Sequence, residues 1–340
     1  MEYILPELNT DNSLLIAYEL GNLEVDEEFI FKARLKWVRP FGMLLTSNSI
    51  KQMRNKYKDI PFNLEYNSEN KGIDYAGHMG FFKSISESID IGKMPGEANG
   101  NDNYIPITRL DFDKMHNDEI KKGKFVVMGD VIEKESSRLA KILSRENKEM
   151  HTLLTYLIRE ILRNIPEHAD IKHAWICGQY WSNETAEIAI LDEGIGIKKS
   201  LQNNKIHKKY VETDEDALKF AIKAGISQAF QPARKNKSQD QWANSGFGLY
   251  MVSEICKELQ GSFVLVSGSK YIKINQDGKM KLGDTLLKGT AVKITISTNK
   301  ILESKQIIRK IARQGEEQAK LIRNAFKKAS EPSKGIINEL

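Results

Sequence analysis

The chain has 340 residues, of which 40% are hydrophobic and 29% are charged, as in an ordinary globular protein with room for two domains. It has no apolar run of about 20 residues and no basic-then-apolar start, so we expect neither a transmembrane segment nor a signal peptide. Two cysteines without a CxxC pair argue against a disulfide scaffold or a cysteine zinc site, and they favour a cytoplasmic location.

The net charge of +5 is concentrated at one end of the chain. Residues 300–328 contain nine Lys and Arg against three Glu, a local charge of +6, so the remainder is close to neutral. A uniformly basic nucleic-acid-binding protein is therefore not indicated.

The first 125 residues alternate strand-like and helix-like patterns, and we interpret them as one α/β domain. The predicted elements are strands at 29–35, 61–66 and 105–112, a helix at 42–57, and a short helix that ends near residue 82. A polar stretch broken by Gly123 and Gly129 predicts the boundary with a second domain at 126–298.

The second domain begins with a long helical pattern and continues into strands. A break is predicted near residues 146–148 of that helix. The later predicted elements are strands at 173–181, 186–191, 262–267, 271–274 and 291–297, and helices at 214–224 and from residue 248.

The long helix carries the first chemical motif. A spacing of four places Glu160 and Asn164 one turn apart on the same helix face. A carboxylate within about 3 Å of a water molecule can orient it and accept its proton. An amide oxygen suits Mg²⁺, which uses few protein ligands beside phosphates and water. Taken alone, such a pair is more often a solvated surface feature.

A second motif follows the apolar strand at 186–191. Asp192 at the end of this strand needs a hydrogen-bond donor, because burying an unpaired carboxylate is costly, and the exocyclic amine of adenine is such a donor. Gly194 and Gly196 let backbone and ligand approach closely. A plain turn would use the same residue types.

Two more motifs follow. Gly246-Phe247-Gly248-Leu249 leads into a helix, whose first N–H groups and positive dipole end suit phosphates, although a flexible loop would also fit. Thr290 enters the last strand and could place its hydroxyl beside Asp192. The chain lacks GxxxxGK[ST], which excludes a P-loop.

In this order, the four motifs resemble those of the GHKL ATPases, which include DNA gyrase, the heat-shock chaperone, mismatch-repair ATPases, histidine kinases and anti-sigma-factor kinases. The resemblance covers residues 133–297 and implies a Bergerat fold, in which helices pack on one face of a mixed sheet. His168 extends the first motif to ExxxNxxxH, which is most similar to the anti-sigma-factor kinase branch. The alternative interpretation of His168, and the more common case, is a structural histidine that caps the end of the helix.

The resemblance implies ATP as the ligand and Mg²⁺ as the cofactor. Glu160 is similar to the catalytic base, Asn164 to the Mg²⁺ ligand, and Asp192 to the adenine-reading aspartate, which Thr290 assists. The glycine boxes that contact nucleotide correspond to Gly194, Gly196, Gly246, Phe247, Gly248 and Leu249.

The resemblance also implies an ATP lid over residues 198–244. Within it, Arg234, Lys235 and Lys237 are candidate phosphate contacts. The alternative interpretation of these three residues is a solvated basic loop.

Residues 1–125 resemble a STAS-like domain through the strand at 29–35, the turn that follows it, and the strand–helix pair that ends at Phe82. Regulated STAS domains carry Asp-Ser or a similar pair at that turn, where this chain has Arg39-Pro40. The resemblance therefore implies a docking or signal-receiving regulatory module that contacts a protein partner, rather than a phosphoacceptor.

Residues 299–340 form a predicted basic amphipathic tail. Its apolar stripe at helical spacing consists of Ile301, Ile308, Ile311, Gly315, Ala319, Ile322 and Phe326. The stripe could pack against the chain itself or a second subunit. Contact with an acidic partner, nucleic acid or a membrane surface remains open.

Three functions are compatible with these motifs. The first is an ATP-hydrolysing conformational switch in bacterial signalling or defence, often a dimer in this superfamily, which acts on a protein partner. The second is a serine/threonine protein kinase similar to the anti-sigma-factor kinases. The third is a nucleotide-dependent binding module with little turnover.

Overall fold

A computed structural model describes residues 1–67, 69–227, 246–298, 303–322, 325 and 328–329. Its strands are β1 (Glu2–Leu5), β2 (Phe29–Ala33), β3 (Phe62–Tyr66), β4 (Tyr104–Asp111), β5 (His173–Trp181), β6 (Thr185–Asp192), β7 (Ser262–Ile274) and β8 (Met280–Ser297). Its helices are α1 (Thr10–Asn22), α2 (Pro40–Lys56), α3 (Lys71–His78), α4 (Phe81–Ile85), α5 (Phe112–Lys121), α6 (Met128–Ser144), α7 (Lys148–His168), α8 (Gly196–Gln202), α9 (Asp214–Ala221), α10 (Gly248–Glu258) and α11 (Ser304–Leu321). None of these helices is both long and apolar enough to cross a membrane.

The N-terminal unit is a parallel sheet in the order β1-β2-β3, with α1 and α2 as its crossover helices. Asn9 caps α1 by accepting a hydrogen bond from the N–H of Asn12 at 2.9 Å. Sequence patterns did not predict β1, because a four-residue strand carries too little periodicity to be recognised, and they did not predict α1 either. The STAS-like assignment of this unit remains a prediction.

The larger sheet has five strands in the order β4-β5-β6-β8-β7, and every described pairing in it is antiparallel. The expected α/β architecture with helices packed on a sheet is confirmed, and the sheet is antiparallel rather than mixed. Its edge strand β4 comes from the segment assigned to the N-terminal domain, although the division at residue 125 remains a prediction.

Helices cover one face of the large sheet, as the Bergerat fold requires. Side chains alternate along β6, so that Ile188 and Ile190 point into a core shared with α6, α7 and α10. The apolar face of α7 contributes Leu157 and Ile161 to the same core. This layer places α7 and α10 beside the end of β6 and the middle of β8.

The N-terminal unit covers the opposite face of this sheet. Ala189 and Leu191 of β6 belong to a second core with residues of α1 and α2. Glu187, fully buried in β6, accepts a hydrogen bond from the N–H of Phe41 in the first turn of α2 at 3.1 Å. The large sheet is therefore the middle layer of three, and the predicted docking module is packed against the candidate site's scaffold.

The tail helix α11 packs against α10 and α7. The residues of the predicted stripe that this helix buries are Ile308, Ile311, Gly315 and Ala319. Ile301 and Phe326 lie outside the described residues. For the described part of the stripe, packing against the chain's own body is the observed arrangement.

Candidate functional site

An open cavity of about 790 Å³, part of it continuous with solvent, lies where α7, α8 and α10 meet the end of β6 and the middle of β8. The predicted site residues that line it are Asn164, Asp192, Gly196, Gly246, Gly248, Leu249 and Thr290. These residues come from four separate motifs, so the fold brings the motifs together around one space. Three predicted residues, Glu160, Gly194 and Phe247, are not part of the lining.

Asp192 ends β6 and is only 5% exposed. Its Oδ1 accepts a hydrogen bond from the N–H of Gly194 at 2.9 Å, and Thr290 lies directly opposite it in the β6–β8 register. Burial raises the pKa of Asp192 to about 6, against the effect of hydrogen bonds from Gly194 and Thr290. The result is a buried acceptor aimed at a cavity, which suits an uncharged N–H donor on a ligand.

Gly194 holds the turn after Asp192 against the end of α7. A Cβ at Gly194 would lie 2.2 Å from the carbonyl oxygen of Ala169, to which the N–H of Ile195 donates at 3.0 Å. Only glycine allows this approach. Gly194 therefore supports the site by packing against Ala169, and it does not line the cavity.

The phosphate-side box begins at Gly246, which has φ of +72°. Phe247, 2% exposed, packs into the core, and a Cβ at Gly315 of α11 would lie 3.0 Å from its ring. Gly248 and Leu249 line the cavity at the first turn of α10. The first turn of α10 therefore borders the cavity, and Phe247 anchors it. Backbone N–H groups at a helix start are suited to bind phosphates.

Glu160 lies behind this turn and is 6% exposed. Its Oε1 accepts hydrogen bonds from the guanidinium of Arg159, with the Nε at 3.2 Å. Burial acts to lower the pKa of Arg159, but the charge of Glu160 raises it above its ordinary value overall. The other oxygen of Glu160, Oε2, lies 3.1 Å from the position that a Cβ would occupy if Gly248 had a side chain. The carboxylate is thus next to the phosphate-side box, and its catalytic role remains a prediction.

The cavity has an apolar wall that the sequence analysis did not assign. Its members are Ile161, Ile165, Ile190, Leu201, Ile226 and Val292. Each looks like an ordinary core residue in the sequence, so no local signal distinguishes it. A flat apolar ring system fits such a wall next to a buried acceptor.

Ser267 was also missed. Its hydroxyl oxygen accepts from the N–H of Ile197 at 3.0 Å, and the hydroxyl donates to the carbonyl of Gly289 at 2.9 Å. It therefore joins the start of α8 to the strand that carries Thr290. A lone serine in a strand gives no sequence signal for such a role.

The residues present fit a single Mg²⁺ held together with phosphates. The described residues contain no group of three His, Cys, Asp or Glu side chains that could hold a metal ion without help. Asn164 lines the cavity and offers an amide oxygen, and Mg²⁺ commonly binds one or two protein ligands plus phosphates and water. His168 lines the same cavity.

The candidate lid is described only in part. Ser200 and Leu201 of α8 line the cavity, as does Ser227. The candidate phosphate contacts Arg234, Lys235 and Lys237 lie outside the described residues.

A comparison with curated proteins gave no match to this chain. Residues 150–300 match the model of a protein family described as histidine kinase-, DNA gyrase B- and HSP90-like ATPase. The matched segment starts in α7 and ends just beyond β8, so it contains every residue that lines the cavity. This match supports ATP binding, and it assigns residues 150–300 to a GHKL-type ATPase domain.

Proposed function

We propose that this chain is a Mg²⁺-dependent ATPase that uses nucleotide occupancy as a conformational switch toward a protein partner. The observation that carries the proposal is that Asp192, Thr290 and Asn164 line one cavity with an apolar wall. In this proposal, residues 126–298 bind the nucleotide and the N-terminal unit contacts the partner.

The adenine ring lies against the apolar wall, and its exocyclic amine donates to Asp192. Thr290, which lies opposite Asp192 in the β6–β8 register, assists through its hydroxyl. The phosphates lie toward the first turn of α10, where Gly248 and Leu249 line the cavity. Asn164 holds the Mg²⁺, which when bound neutralises charge on the phosphates.

Glu160 orients a water molecule and takes its proton as the water oxygen bonds to the γ-phosphorus. The bond from this phosphorus to the β–γ bridging oxygen breaks, giving ADP and inorganic phosphate. The position of Oε2 beside Gly248 supports this role. The ion pair with Arg159 holds the other oxygen in place.

ATP turnover, measured with and without Mg²⁺, tests the proposal. Glu160→Gln keeps the side chain's shape and should lower turnover at least about 100-fold, with ATP affinity retained, because a positioned base contributes a factor of that order. Glu258→Ala, at an exposed ion pair with Lys310, is the matched control and should leave turnover unchanged. Turnover at the parent rate in Glu160→Gln would refute the catalytic role.

Binding without turnover is a second candidate, and one observation favours it. Glu160 is buried in an ion pair and does not line the cavity, an arrangement that a binding module would tolerate. Calorimetric ATP binding without any released phosphate would select this function over hydrolysis.

The position of His168 favours a third candidate, a serine/threonine protein kinase. His168 lines the cavity together with Asn164, and it completes the ExxxNxxxH pattern that resembles the kinase branch. Incubation with γ-labelled ATP and candidate partners separates the two enzymes. Label on protein indicates a kinase, whereas label only in free phosphate indicates an ATPase.

A further inference from the structure

Helix α2 of the N-terminal unit contacts the two chain segments that carry the adenine-reading pair. Asn48, Lys51 and Gln52 are three and four residues apart, so they lie on one side of α2. Two of them contact Glu193, the residue after Asp192. Gln52 contacts Lys288, two residues before Thr290.

The contact with Lys288 replaces missing sheet hydrogen bonds. Strand β8 bulges here, because Thr290 pairs with Ser267 whereas Leu287 pairs with the next residue of β7, which leaves Lys288 and Gly289 outside the ladder. The amide of Gln52 donates from Nε2 to the carbonyl of Lys288 at 3.0 Å and accepts from its N–H at 3.0 Å. Gln52 therefore pairs with both the N–H and the carbonyl of Lys288, as a neighbouring strand would.

The contact with Glu193 is a partly buried, charge-assisted network. Lys51 donates to Glu193 at 2.9 Å, Asn48 donates to the same oxygen at 3.1 Å, and Trp175 of β5 donates to the other oxygen at 3.0 Å. Burial acts to raise the pKa of Glu193, but these donors, Lys51 above all, hold it below its ordinary value. The charged carboxylate is thus fixed to α2 from one side and to β5 from the other.

We propose that Asn48, Lys51 and Gln52 are positioning residues for adenine recognition, so that the N-terminal unit is a structural part of the nucleotide site. They fix the backbone on both sides of the Asp192–Thr290 pair, and a shift of either segment changes how this pair meets the exocyclic amine. This inference rests on the proposed function.

The test compares two ligands, ATP and purine riboside triphosphate, which lacks only the exocyclic amine. The ratio of their affinities, measured by calorimetry at one pH and Mg²⁺ concentration, reports the amine contact alone. Gln52→Ala and Lys51→Ala should each lower this ratio by about fivefold, because a misplaced hydrogen bond is worth about 1 kcal/mol. Lys51→Arg should restore the ratio, since it keeps the positive charge beside Glu193.

Asn55→Ala is the control, because Asn55 is exposed on the same helix and the change is also amide to methyl. It should leave both affinities unchanged. If Gln52→Ala and Lys51→Ala weaken both ligands equally, or weaken neither, the positioning role is wrong. The wild-type protein tests the proposed function separately, since failure to bind ATP or to prefer it over the analogue would remove the adenine assignment itself.

Discussion

At the scale of single residues, the carboxyl of Asp192 combines an unfavourable environment with a functional position. Its pKa of about 6 in the folded chain exceeds the ordinary value of 3.8, because burial penalises the charged form. The folded state therefore holds this proton more tightly than the unfolded state does. The stability that the protonated carboxyl gives to the folded state is present at low pH. This stability is lost as the pH rises from 3.8 through 6.

Removing this charge should stabilise the nucleotide-free protein at neutral pH. We expect Asp192→Asn to raise the free energy of unfolding at pH 7.5 by up to about 3 kcal/mol, the upper bound set by the pKa difference, with a smaller gain at pH 5. Urea denaturation at the two pH values measures the gain. A gain that does not change with pH would contradict a charge effect. Asp216→Asn is the control, because the carboxylate of Asp216 accepts hydrogen bonds from Thr213 in an exposed helix cap.

The same carboxyl should make ATP binding dependent on pH. A protonated Asp192 presents a donor where the adenine amine needs an acceptor, so ATP affinity should weaken as the pH falls below about 6. Titration calorimetry between pH 5 and 8 measures this dependence. In Asp192→Asn the inflection near pH 6 should disappear, and an unchanged inflection would assign it to another group.

At the scale of elements, helix ends and bulges determine where the functional residues lie. The predicted break in the long helix is confirmed, since Arg145 and Glu146 adopt positive φ and Asn147 caps α7. Strands β7 and β8 are longer than predicted, because they continue past the bulge opposite Ser267. The bulge lies directly beside Thr290, which is opposite Asp192 in the β6–β8 register.

The packing of α11 on α10 can be tested at Gly315. A Cβ there would lie 2.5 Å from the ring of Tyr250 and 3.0 Å from that of Phe247. Gly315→Ala should destabilise the protein by about 1–3 kcal/mol through overpacking, although alanine alone favours a helix over glycine. Thermal denaturation measures this change. Gln314→Ala, at an exposed position of the same helix, is the control, and an increase in stability for Gly315→Ala would contradict the contact.

At the scale of the whole molecule, a charge cluster centred on a buried carboxylate connects the N-terminal unit to the large sheet. Glu187 is fully buried, with Arg39 at 3.5 Å and Lys293 at 3.9 Å. Lys293 also donates to Thr10 of α1 at 2.8 Å, and burial lowers its pKa. The two parts of the chain therefore share charges as well as an apolar core.

Removing Glu187 should weaken this connection. Glu187→Ala leaves Lys293 buried without its counter-charge and the first turn of α2 without its acceptor, so we expect a loss of about 3–5 kcal/mol. Chemical denaturation followed by tryptophan fluorescence measures the loss. Glu65→Ala removes an exposed partner of Lys32 and should cost less than about 1 kcal/mol. A loss for Glu187→Ala no larger than that of the control would show that the cluster contributes little.

The sequence by itself determined the motif order, the α/β class and most element positions from 29 onward. These features depend on local periodicity, on glycine positions and on the need of Asp192 for a donor. Each of these can be seen from residues that are close together in the sequence. The order of the four motifs, through its resemblance to the GHKL ATPases, led to Asn164, Asp192 and Thr290, which the fold brings to one cavity.

The tertiary structure decided which segments cover the site and which side chains face it. Gln52 and Lys288 are 236 residues apart, and Phe41 and Glu187 are 146 residues apart. No local sequence pattern can therefore predict that these residues form hydrogen bonds. The membership of β4 in the large sheet and the burial of Glu160 beside Arg159 were decided in the same way. The physical reason is that hydrogen-bond and charge partners across layers are selected by packing, which brings together residues that the sequence keeps far apart.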